Sequence, residues 1–139
     1  MTTTHDLPTA AGWWTGFDVR ERQKVGTASE AEETDRERDR GSLWKAFGAE
    51  GLVSTQQPDI SAPDAAVDAA LAFVARSPSS LMLVPVEDLL GLVEQPNLPG
   101  TVDEHPNWRR RLPVCVDQYF GGSNVSRRVN VIEKNRNRP

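Results

Sequence analysis

The clearest periodicity along the chain lies between residues 64 and 76. Val67, Ala70, Leu71 and Val74 recur there at the three- and four-residue steps of a helix face. The spacing predicts a helix over residues 65–76, capped by Asp64 and broken by Ser77-Pro78-Ser79. Residues 81–86, Leu-Met-Leu-Val-Pro-Val, follow as an unbroken apolar run of strand length. Such a run predicts a strand buried on both faces within a parallel sheet. Residues 87–92 then read as a short helix.

Upstream, the β-branched Thr2, Thr3 and Thr4 lead into His5-Asp6 and Pro8, which predicts the end of a strand opening into a loop. Gly12, Trp13, Trp14 and Gly16 read as an aromatic turn. Asp18 reads as the N-cap of a helix over residues 19–25, with Gly26 as its stop. Residues 28–40 are almost wholly polar, with acids and arginines interleaved and Glu32 and Arg36 paired at i,i+4. An exposed helix whose charges serve only solvation is expected. Leu43, Trp44 and Phe47 carry that helix into a core, ending at Gly48 or Gly51, and residues 56–63 form a loop. Residues 114–120 are expected to dock apolar side chains on the body. Residues 124–138 read as a terminal helix with Val125, Val129 and Ile132 inward and a basic cluster of Arg127, Arg128, Lys134, Arg136 and Arg138.

Strand, loop, helices, buried strand and short helix follow β–α–β logic. Two strands cannot build a parallel sheet that covers itself, and a β/α barrel takes about 250 residues. With 139 residues and 37% hydrophobic content the chain reads as a piece of something larger.

Composition narrows the partners. A net charge of −4 and a pI near 5.2 argue against nucleic acid and anionic membrane surfaces. No apolar run approaches about 18 residues, and the N-terminus lacks the basic and apolar regions of a signal peptide. The single cysteine, Cys115, forms no internal disulfide, fits a reducing compartment and reads as an inert small hydrophobe. A cytoplasmic protein is expected, and with His5 and His105 the only histidines, no metal-binding spacing exists.

Two stretches carry candidate chemistry. His5-Asp6 follows a strand end, where barrel enzymes place catalytic groups. An acid there stabilises developing positive charge, and an imidazole hydrogen-bonds hydroxyls. A turn cap ahead of Pro8 with a solvated histidine is the competing role, favoured when the pair is taken alone. The second stretch, NLPGTVDEHPNWRRRLP at 97–113, combines three prolines, a glycine, a tryptophan and three consecutive arginines without any period. Adjacent Glu87 and Asp88 read as helix-start charges favoured by the dipole.

The series THDLPTAAGWW, LMLVPVEDLLGL, QPNLPGT and HPNWRRRLP, in this order, resembles the C-terminal quarter of the bacterial 4-α-glucanotransferases, the amylomaltase or disproportionating-enzyme family. The likeness runs from Thr2 to Pro113, and more loosely to the terminal helix. It implies an α/β fold, the C-terminal portion of a (β/α)8 TIM barrel with its last two strands plus helices, mostly helical as an isolated chain. Residues 1–8 would then end strand seven and carry the catalytic loop, and 17–77 would be a helical region. Residues 81–113 would hold the last strand and cleft loop, and 114–139 the C-terminal helix.

By the same resemblance the activity is transfer of α-1,4-glucan segments between maltooligosaccharides with retention, without a cofactor. Asp6 matches the transition-state-stabilising carboxylate and His5 its sugar-hydroxyl-binding neighbour. Nucleophile and general acid match no position here, so the chain alone is expected to be inactive. Trp13, Trp14, Asn97, Pro99 and Gly100 become candidate substrate-binding residues, with burial the competing role for the two tryptophans. Trp108 is expected to be a structural anchor, with Arg109, Arg110 and Arg111 pairing carboxylates or helix-end carbonyls. A stand-alone glucan-binding module and, more weakly, a nucleic-acid-binding protein using the arginines remain as alternatives.

Overall fold

A computed structural model describes residues 1–54 and 56–136. They form helices α1 (Ala10–Thr15), α2 (Phe17–Lys24), α3 (Ala31–Ala49), α4 (Asp64–Ala75), α5 (Val86–Leu90) and α6 (Ser123–Arg136), with a 3-10 turn at Val116–Gly121. Among the described residues no strand forms.

The periodic segment is the centre of the fold. α4 buries Ala66, Val67, Ala69, Leu71, Ala72 and Ala75 and packs against α1, α3 and α6. One side of it joins Trp14, Trp44 and Phe47, and the other joins Ala11 with Met82, Val84, Val93 and Ile132. The aromatic side is built from tilted and edge contacts, Trp14 to Trp44 at 5.7 Å and Trp44 to Phe47 at 6.3 Å between ring centroids. Pro63, rather than Asp64, occupies the N-cap of α4.

The aromatic turn expected at Gly12–Gly16 is instead helix α1. Thr9 caps it by accepting from Gly12 N, and Gly16 closes it. Nor does Asp18 cap α2. It lies buried in the first helical turn, where Arg36 of α3 grips both its oxygens at 2.7 and 2.9 Å. Arg36 also donates to Trp13 O and lies over the Trp13 ring, and buried Arg40 donates to Trp14 O at 2.9 Å. Two guanidinium groups therefore serve carbonyls near the C-terminal end of α1. Their place within the charged run corrects the expectation that it only solvates. Glu32 pairs not with Arg36 but with Arg22, at 2.7 Å.

Both expected strands are corrected too. Residues 81–85 form no ladder, and Leu81 and Leu83 are 71% and 55% exposed while Met82 and Val84 pack inward. The segment alternates, because no neighbouring strand is present among the described residues to cover its second face. Thr2–Thr4 likewise pair with side chains and loop carbonyls rather than a strand. Residues 114–121 half-bury Val114 and Tyr119 but leave Cys115, Val116 and Phe120 exposed, so the expected docking is only partial, and Cys115 is a free surface thiol. The terminal helix buries Val125 and half-buries Val129 and Ile132 as its pattern predicts, whereas Arg138 lies outside the described residues.

Arg128, a member of the expected basic cluster, has no exposed surface. It donates to Asp68 (3.1 Å) and Asp64 (2.5 Å) on α4 and to Leu89 O (2.8 Å) at the end of α5. Gly91 makes room for it: a Cβ there would lie 2.8 Å from the guanidinium, and the φ of 73° suits glycine alone. Asp88 is equally buried. It accepts from Ala10 N (2.8 Å) and from the Thr2 hydroxyl, so α5 holds both the N-terminal stretch and the start of α1.

Arg128→Met should destabilise the fold by about 2–4 kcal/mol, toward the lower end because Asp64 is half exposed and can rehydrate. Urea denaturation checks this; a loss under about 1 kcal/mol would mean apolar packing holds α6 without the clamp. Asp88 supplies a pH test. Burial raises its pKa, helped by Glu87 and opposed by its hydrogen bonds and by Arg128. Its contribution is therefore fully present below the unfolded-state value of about 4 and lost as pH rises through the folded value. Asp88→Asn keeps an acceptor for Ala10 N, so its stability relative to the native chain should climb between about pH 4 and 7. Parallel urea midpoints across that range would refute the assignment.

Candidate functional site at the His5-Asp6 turn

The His5-Asp6 pair sits between two fixed points. On one side Thr3 is buried and its hydroxyl donates to Pro8 O (2.6 Å), while Leu7 N donates to Thr4 O (3.2 Å). On the other, the Thr9 hydroxyl donates to Leu92 O (2.6 Å) and Ala10 N is held by Asp88. Nothing within residues 5–7 is buried. The tight anchors flank an open tip that presents an imidazole and a carboxylate.

The 97–113 loop is built by its own polar side chains. Asn107 accepts from Leu98 N (2.8 Å) and donates to the carbonyl (3.1 Å) and hydroxyl (2.8 Å) of Thr101. Gln95 donates to Asn97 O, and Trp108 N donates to Pro96 O (2.9 Å). Leu98 and His105 are the buried pins, with His105 Nδ1 3.9 Å from a Glu21 carboxylate oxygen on α2. An asparagine satisfying three backbone or hydroxyl groups does for an irregular loop what a ladder does for a strand. Neither Asn107 nor His105 carries a periodic signal, and only the polar spacing within NLPGTVDEHPN hinted at them.

The two stretches meet. Asn97 Nδ2 donates to Asp6 Oδ1 at 2.7 Å across 91 positions of sequence, and His5 Nε2 lies 3.2 Å from Asp6 Oδ2. Each carboxylate oxygen thus has its own partner, and the side chains of His5 and Asp6 remain more than half exposed. Trp108 completes the group, its ring centroid 5.4 Å from His5 at a 45° tilt. An open cleft of about 910 Å³ adjoins them, lined among others by Thr4, His5, Glu94, Trp108 and Arg111.

Trp108 is thereby corrected: it is 65% exposed and anchors nothing, the anchors being Leu98, His105 and Asn107. Its φ of 60° is the left-handed region, which costs a non-glycine residue about 1 kcal/mol. Of the three arginines, Arg110 approaches Glu94 (3.6 Å) and lines the cleft with Arg111, while Arg109 is exposed. Trp14 is buried in the core with its indole N–H toward Asp59 O, and Trp13 is half-buried beneath Arg36. Both pack against the core, the competing role named for them, and neither lines the cleft beside His5, which corrects their place among substrate-binding residues there. Pro99 and Gly100 form an exposed turn; Asn97 alone of the three reaches Asp6. Glu87 and Asp88 both lie in the first turn of α5, as helix-start charges do; Glu87 lines the cleft wall and Asp88 is buried behind it.

Chemically, the arrangement offers an imidazole, hydroxyls, guanidinium groups and an exposed indole around one open cleft, with the oriented Asp6 carboxylate beside His5 at its edge rather than in its lining. Such a set suits a neutral, hydroxyl-rich ligand on which positive charge develops. Among the described residues no group of three or more His, Cys, Asp or Glu side chains is placed to hold a metal ion, and no helix is long and apolar enough to cross a membrane.

Proteins named 4-alpha-glucanotransferase from Mycobacterium bovis and Mycobacterium tuberculosis are each 38% identical to the chain over 128 residues, covering 85% of it. The chain spans 17% of the length of these relatives. A family model described as 4-alpha-glucanotransferase matches residues 1–117, a span that holds the His5-Asp6 turn and the entire 97–113 loop. The chain belongs to the 4-alpha-glucanotransferase family, glycoside hydrolase family 77.

Proposed function

We propose that this chain supplies one wall of the glucan cleft of a 4-α-glucanotransferase that transfers α-1,4-glucan segments between maltooligosaccharides with retention. The observation that carries the proposal is the convergence of Asp6, His5 and Asn97, from two motifs far apart in sequence, on one carboxylate at 2.7 and 3.2 Å. In this reading Asp6 stabilises the oxocarbenium-like transition state and His5 binds a sugar hydroxyl. Retention requires a nucleophile and an acid/base carboxylic acid about 5–5.5 Å apart. Asp6 is neither of these in this reading, and the two groups are assigned to other parts of the barrel.

Orientation is what the local structure adds to the carboxylate. Asn97 and His5 hold one oxygen each, so little reorganisation is needed as charge grows on the sugar. A negative group there interacts more strongly with the cationic transition state than with the neutral bound sugar, so its effect falls on kcat. The family is one of TIM barrels, and the exposed apolar edge at Leu81 and Leu83 supports residues 81–85 as a barrel strand whose flanking strands lie elsewhere. A cytoplasmic location belongs to the same proposal and is supported by the free, exposed Cys115. The second reading, a glucan-binding module without chemistry, draws on the cleft of about 910 Å³ and the exposed Trp108 beside it.

Two outcomes follow. In a complete 4-α-glucanotransferase carrying this segment, Asp6→Asn should lower kcat about 10²–10³-fold with a nearly unchanged melting temperature. Glucose release from maltotriose measures it, and a variant keeping more than about a tenth of wild-type turnover would show Asp6 to be a turn residue. The purified chain by itself should produce no glucose from maltotriose; production above a heat-denatured control would overturn the placement of nucleophile and acid elsewhere.

A further inference from the structure

Trp108 departs from every other large aromatic side chain described in the core. Trp14, Trp44 and Phe47 are buried against one another, whereas Trp108 is 65% exposed and, among the described residues, has His5 as its aromatic neighbour. Its backbone occupies the left-handed region, which protein packing does not repay because no core covers the ring. The loop nonetheless holds it there. Trp108 N donates to Pro96 O, and the preceding residue, Asn107, bonds Leu98 and Thr101. A conformation enforced by its neighbours, presenting a rigid apolar surface to solvent inside a cleft, marks a binding surface.

The neighbours of that surface define the ligand. His5, tilted at 45° to the indole, is itself 3.2 Å from Asp6, which Asn97 orients. An apolar ring face beside hydrogen-bonding groups matches the two sides of a pyranose, whose C–H face is apolar and whose rim carries hydroxyls.

We infer that Trp108 is a stacking platform for a glucosyl ring of the bound glucan, next to the ring whose hydroxyls meet His5 and Asp6. The inference rests on the glucan-cleft reading above and adds to it a contact that acts on binding rather than on the chemical step. A tryptophan used in this way acts as a rigid anchor, so its loss weakens affinity uniformly for ground and transition states.

The test is a titration of the full 139-residue chain, 15N-labelled, with maltoheptaose, followed by NMR. The four tryptophan indole N–H signals report separately. Saturable shifts of the Trp108 indole together with the His5 and Asp6 amides are expected, with the Trp14 and Trp44 indoles unmoved. Trp108→Asn, which tolerates the left-handed backbone, should weaken the apparent Kd about tenfold or more, and Trp108→Tyr should recover most of it. Shifts at His5, Asp6 and Asn97 with an unmoved Trp108 indole, or an unchanged Kd in Trp108→Asn, would overturn the platform and leave the Asp6 assignment standing. No shift at any of these residues would overturn both the platform and the cleft as a glucan site.

Discussion

A carboxylate without exposed surface, Asp88, holds the functional end of this molecule together. It sits where the N-terminal stretch, α1 and α5 meet, accepting from Ala10 N and the Thr2 hydroxyl. Burying an acid is costly unless its oxygens are satisfied, and here each oxygen has a donor. The raised pKa records the remaining cost, and burial is its main cause. One residue further on, Leu89 O receives Arg128, whose guanidinium also holds Asp64 and Asp68 of α4. A short helix of five residues is thus fixed from both sides by buried charge, and everything before residue 10 depends on it.

The His5-Asp6 tip inherits its position from that arrangement. The threonines before it and after it are tied to Pro8, Leu92 and Asp88, and the tip is left exposed. The 97–113 loop reaches it from the other side by a different device, a self-contained set of asparagine and glutamine bonds that needs no regular structure. Asn97 is the point at which the two systems touch. Sites that require a carboxylate to be open to ligand yet fixed in direction commonly separate these demands: the anchors are buried and the working group is not.

The extended segment at residues 81–85 carries apolar side chains on both of its sides. Met82 and Val84 cover the Ala11–Val67–Leu71 cluster, while Leu81 and Leu83 face outward on the same extended segment. The charged run on α3 offers the opposite case. Arg36 and Arg40 leave the solvated face to serve the end of α1, so a polar stretch contributes to packing through two side chains.

Helix α4 was legible from the sequence within a residue or two, because four apolar positions at helical spacing admit one buried face. The terminal helix and the helical continuation into Trp44 and Phe47 were legible for the same reason. So was the family, since motifs such as NLPGT and HPNWRRRLP are irregular and specific; that Asn97 would reach the Asp6 carboxylate was not legible and was decided by the fold. Periodicity is silent on which charges go inside. Arg128, Asp88, Asp18 and Arg40 are buried because a particular partner awaits each of them, at distances in sequence that no local pattern encodes. The exposure of Trp108 and the unpaired course of residues 81–85 were likewise decided by tertiary structure, since burial depends on what packs against a side chain and a strand on what lies beside it.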